Sequence, residues 1–93
     1  MLAKTPIDLA KVKKEDIDKE ILRMAMIAEL DAVDLYEQMA SMTETSSVKR
    51  VLLDVAKEEK THVGEFQALL LRLDKEQEKE LQRGKGEVEE LLG

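Results

Sequence analysis

Glu59 and His62 stand three residues apart in the stretch "AKEEKTHV" (56–63). On a helix that spacing puts both on one face, so a carboxylate and an imidazole can reach a single cation. A third candidate, Glu29, lies in "AELDAV" (28–33). Carboxylate oxygen combined with imidazole nitrogen suits iron, manganese or zinc, and calcium can stand in at a carboxylate-rich site. The chain has no cysteine, so thiolate metal sites, thiol chemistry and disulfides are excluded.

The setting of the three is what singles them out. The core seam of a helical bundle advances in alternating steps of three and four. Leu52, Val55, Glu59, His62, Phe66, Leu69 and Leu73 follow those steps, and only Glu59 and His62 are not apolar. Leu22, Ala25, Glu29, Ala32, Tyr36 and Met39 follow them too, with Glu29 as the one carboxylate. Burying a lone carboxylate is costly, and burying two beside a histidine invites a neutralising cation. Glu58 is next to Glu59 but points about 100° away, so it falls outside the site. Asp31, Asp34 and Glu37 read as a solvated face, and the methionines as core filler.

The elements that must position these residues are two long helices. Helical periodicity runs over 15–42, with neither Gly nor Pro inside it, and again over 47–73. Between them "TETSS" (43–47) is a polar break with Thr45 and Ser46 as candidate N-caps. Residues 1–13, which contain Thr5-Pro6, read as a loose arm. Residues 74–93 read as a short polar helix ended by Gly84 or Gly86, followed by a tail of one or two turns. A short link between long helices gives an antiparallel hairpin with arms about 40 Å long. If the turn centres near residues 44 and 45, Glu29 comes level with residue 60, between Glu59 and His62. The fold class is therefore all-α: one helical domain over 1–93, a two-helix hairpin plus a short C-terminal helix. Two helices bury their stripes poorly, so two such hairpins are expected to pair into a four-helix bundle. Di-iron bundle proteins take a Glu from each of two helices and Glu-x-x-His from each of the other two. This chain supplies half of that set, and a homodimer would complete it around two metal ions.

Composition narrows the function classes. The 93 residues are 43% hydrophobic and 39% charged, with a net charge of −6. A nucleic-acid partner is disfavoured, since Lys11, Lys13 and Lys14 form the only basic cluster and acids flank them. No apolar run approaches the roughly 20 residues of a membrane span, and the N-terminus lacks a signal-peptide core. A cytoplasmic protein is the expectation.

The segments "AELDAVDLYEQMA" (28–40) and "LLDVAKEEKTHVGEF" (52–66) resemble the encapsulated ferritin family, two-helix ferritin-like proteins housed inside encapsulin nanocompartments. The resemblance covers about residues 16–75. It implies a hairpin that dimerises around a di-iron ferroxidase centre, with dimers assembling into a decameric ring inside an encapsulin shell. It implies Glu29, Glu59 and His62 as iron ligands, Tyr36 at the edge of the centre, and Asp31 near the route by which metal reaches it. Ala28 stands where some members have a second acid, and Leu35 where some have tryptophan. The chain stops at "EELLG" with nothing resembling a shell-targeting peptide, so a trimmed tail or a fusion to the shell protein is expected.

The favoured reading is a ferroxidase that oxidises Fe(II) with dioxygen and feeds iron storage in the shell. Two alternatives stand beside it. One is a rubrerythrin-like di-iron protein that reduces peroxide. The other is a non-enzymatic oligomerisation module in which a buried Glu–His pair fixes register. The module accounts for Glu59 and His62 but leaves Glu29 unexplained. Tyr36 is either part of the centre or a core aromatic whose hydroxyl reaches a buried carboxylate.

Overall fold

The computed structural model describes residues 8–93. After two 3₁₀ turns, Leu9–Lys11 and Lys14–Asp16, the chain forms α1 (Ile17–Met42), α2 (Ser46–Leu73) and α3 (Lys75–Leu92). Among the described residues there is no strand. The expected loose arm lies partly outside the described residues. Its described end is organised by Asp8, whose carboxylate accepts from the Ala10 amide at 3.1 Å and whose carbonyl accepts from Lys11 at 3.1 Å.

Helix α1 ends where Thr43 turns extended (φ −83°, ψ 141°) while its amide still donates to the Met39 carbonyl. The Thr43 hydroxyl then accepts from the Thr45 amide at 3.1 Å, closing the link. Thr45 occupies the N-cap position of α2, but its side chain makes no capping bond; Ser46 is already helical. The link is too short for anything but an antiparallel return, so α1 and α2 pack along their whole lengths.

The line on which the two helices meet is not the seam expected above. Among the described residues the buried ones are Val33, Ala40, Ala56 and Leu70, each under a tenth exposed. They lie one position beside or between the seam residues. The seam itself is only half covered: Leu69 and Leu73 stay 49% and 48% exposed, and Ile21, next to the seam residue Leu22, 42%. The apolar stripe is broader than a single neighbour can cover. The hairpin uses one edge of it, and the seam forms the other edge.

The opposite flank is tied by charges. Arg23 pairs with Asp74 at 2.8 Å and Lys60 with Glu37 at 3.0 Å. The two pairs are two heptads apart in sequence on both sides, and the acid stands just past the end of α2 in one and on α1 in the other.

Helix α3 corrects a second expectation. It runs unbroken through Gly84 and Gly86 to Leu92, rather than ending at either. Among the described residues only Gly93 takes a left-handed φ (81°), and there the helix stops. Glycine weakens a helix interior by about 1 kcal/mol without forbidding it. Strong helix formers surround both glycines, and Arg83 pairs with Glu87 across them at 3.4 Å. Helix α3 leaves the hairpin at an angle, so the molecule is a flat L with extents of 47 × 43 × 19 Å. The chain exposes 7368 Å², against roughly 5,500 Å² for a compact monomer of its mass.

Candidate metal centre

Glu29 comes from the middle of α1, and Glu59 and His62 from one face of α2. One ligand atom from each lies within 4.8 Å of the others. The His62 Nδ1 is 3.4 Å from Glu29 Oε2 and 3.6 Å from Glu59 Oε2. Helical spacing dictates the second distance; the fold decides the first, across 33 residues of sequence. The side chains of Glu29 and Glu59 are 21% and 19% exposed, and that of His62 is 41% exposed. The cluster therefore sits on the open edge of the stripe, the same edge as the half-covered seam.

Two carboxylates held this close repel each other. Among the described residues, neither has a Lys or Arg within ion-pairing distance, and His62 is the one group able to offset them. The donor set fits a first-row divalent ion: hard carboxylate oxygens with a borderline imidazole nitrogen. For Nδ1 to coordinate an ion it must be the unprotonated nitrogen of the ring. Three donors leave an octahedral ion incompletely held, so the cluster as one chain presents it is an open half-site.

The other candidate residues fall around it. Tyr36 is half-buried on α1, one heptad from Glu29 and on the same stripe. Asp31 is half-buried too, but it stands about 200° round the helix from Glu29, and no oxygen of it joins the cluster. Glu58 is exposed and apart from the three, as its position on the helix requires.

Periodicity missed the charged residues that fasten the hairpin. Asp74 is the clearest: its side chain is only 13% exposed. Its Oδ1 accepts from the Gln77 amide at 3.0 Å, capping α3, and its Oδ2 accepts from Arg23 Nη2 at 2.8 Å. The Gln77 amide, followed by Arg23 and Lys19, holds the Asp74 carboxyl below its ordinary 3.8, outweighing the opposing effect of desolvation. The signal was available in "DKEQ" (74–77), an acid followed three residues later by glutamine, which is a helix-start pattern. Nothing in the sequence pointed to Arg23 as its partner.

The rubrerythrin family model matches residues 20–91. Over 80 residues the chain is 62% identical to the ferritin-like-encapsulin shell fusion protein of Pyrococcus furiosus, a match covering 86% of this chain and 23% of that protein. Over 56 residues it is 39% identical to the encapsulin nanocompartment cargo protein EncC of Myxococcus xanthus, covering 60% of this chain and 43% of that one. The chain thus spans less than half the length of these curated relatives. The crystal structure of the encapsulated ferritin domain from Pyrococcus furiosus is similar throughout, with a TM-score of 0.83 and 55% identity over 98% of this chain and 95% of that one. No helix among the described residues is long and apolar enough to cross a membrane.

Proposed function

Since this chain belongs to the encapsulated ferritin family, we propose that it is a ferroxidase whose di-iron centre is assembled from two copies. The observation that carries this reading is the convergence of Glu29, Glu59 and His62 on the open edge of the hairpin, with no Lys or Arg among the described residues to neutralise them. Two hairpins meeting edge to edge bring four carboxylates and two imidazoles together. They also cover the seam that each leaves half exposed. Fe(II) is the substrate: two ions bound there each give one electron to dioxygen and leave as Fe(III).

The residues have separate tasks. Glu29 and Glu59 supply negative charge that offsets the ions and becomes more favourable as the charge on iron rises. His62 binds as neutral imidazole, so metal uptake releases protons and weakens as the pH falls. Tyr36, on the same stripe, borders the space between the two copies. Helical geometry keeps Asp31 out of the cluster, and its task is to gather cations along their approach. The names of the relatives associate them with encapsulin, and this chain accordingly delivers oxidised iron inside such a shell, as a ring of dimers, whether as cargo or fused to the shell protein.

The test is anaerobic Fe(II) titration, followed by exposure to dioxygen or to peroxide, with near-ultraviolet absorbance and molecular mass recorded together. The expected result is saturation near one iron per chain, association on binding, and rapid oxidation by dioxygen that Glu59→Ala and His62→Ala abolish. Oxidation by peroxide in preference to dioxygen would favour the rubrerythrin-like reading, which the family match supports. Absence of iron binding, with an oligomer that Glu59→Ala leaves unchanged, would leave a structural Glu–His pair and overturn the proposal.

A further inference from the structure

A single residue joins α2 to α3, and it is bonded to three helices at once. Asp74 closes α2 through its amide, which donates to the Leu70 carbonyl at 2.9 Å. Its carbonyl accepts from the Glu78 amide at 3.2 Å, the first bond of α3. Its two carboxylate oxygens take the Gln77 amide of α3 and the Arg23 guanidinium of α1. Arg23 is itself held by Glu20 Oε1 at 2.9 Å, so it arrives pre-oriented from its own helix. All four polar groups of Asp74 are therefore used.

Packing does little to fix the direction of α3. Every residue from Lys79 to Gly93 is exposed. Leu81, 40% exposed, is the side chain of that stretch that lines the groove formed with Ile27, Leu30 and Leu70. Buried apolar contact is what ordinarily sets the angle between helices. Here an ion pair at the pivot stands in its place.

We propose that Asp74 and Arg23 form an elbow lock: their bond sets the direction in which α3 leaves the hairpin, and breaking it lets α3 swing about residue 74 with all three helices intact. The swing needs no helix to unwind, because the bonds that end α2 and begin α3 include backbone bonds that remain when the guanidinium is lost. Any surface built jointly by α3 and the hairpin is thereby switched by one ion pair. This inference does not depend on the metal centre, which lies elsewhere on the hairpin.

The absence of native cysteine makes the test direct. Spin labels at Gln38→Cys on α1 and Lys85→Cys on α3 report the angle between hairpin and arm. The labelled full chain is diluted into unlabelled protein, so that only distances within one chain are read. With Arg23 and Asp74 in place, one narrow distance distribution is expected. In Arg23→Gln the distribution at least doubles in width, while far-ultraviolet helicity is unchanged. Asp74→Asn, which removes the charge and keeps one oxygen to cap α3, behaves the same way. A distribution that stays narrow in both variants would overturn the lock, as would a broad one in the unmutated pair. Loss of helicity in both variants would also overturn it, since the pair would then support the hairpin itself.

Discussion

A carboxylate kept for binding behaves differently from one kept for stability, and the cluster can be tested on that difference. Without metal, Glu29 and Glu59 repel each other across less than 4.8 Å. Glu59→Gln is therefore expected to melt at or above the temperature of the unmodified protein when both are metal-free. Fe(II) at a hundred times its Kd should stabilise the unmodified protein by about 2.7 kcal/mol, and this gain should vanish in Glu59→Gln. Calorimetry with and without Fe(II) checks both halves. A structural ion pair would give the opposite pattern, a loss on mutation and no response to metal. Asp74 carries the pH prediction. Its carboxyl is held below its ordinary 3.8, so its contribution is fully present above that value. It is lost as the pH falls through the lowered value. Protection of the Gln77 amide, which the carboxylate caps, from hydrogen exchange should drop in that acid window, and Asp74→Asn should remove the drop.

At the scale of elements, the hairpin and α3 respond to substitution for different reasons. Leu70 is 4% exposed on the line where α1 meets α2. Leu70→Ala should destabilise the hairpin by about 2–5 kcal/mol, read from denaturant unfolding. In α3, a Cβ added at Gly84 or Gly86 meets nothing within 4 Å, and neither glycine has a positive φ. Gly84→Ala and Gly86→Ala should each strengthen that helix by about 0.5–1 kcal/mol. Local hydrogen exchange is the suitable measurement, because α3 packs too little on the hairpin for the gain to spread.

The whole molecule has more surface than a chain of its size should keep. The excess over a compact monomer, roughly 1,900 Å² per chain, is about twice the roughly 800 Å² that each partner contributes to a standard protein interface. Part of that surface is the exposed α3 arm, and another part, covered in the proposed dimer, is the seam edge with Leu69 and Leu73 on it. Leu69→Asp should raise the dimer dissociation constant about a hundredfold, or about 3 kcal/mol. Sedimentation would then show monomer, with iron saturation lost although all three ligands are intact.

Periodicity alone determined that this chain is two long helices, and the intrusion of Glu29, Glu59 and His62 into apolar steps marked the candidate site. Both are local properties: a helix repeats its face every few residues, so a polar residue out of place is visible without a neighbour. Tertiary structure decided the rest. It brought Glu29 to His62, and it chose Val33, Ala40, Ala56 and Leu70 over the seam as the line of contact. A stripe in sequence says which side of a helix is dry, but not which neighbour covers which edge of it. It also decided that α3 continues past two glycines and departs at Asp74, because the bond from Arg23 joins residues 51 apart, a distance over which no local pattern carries information.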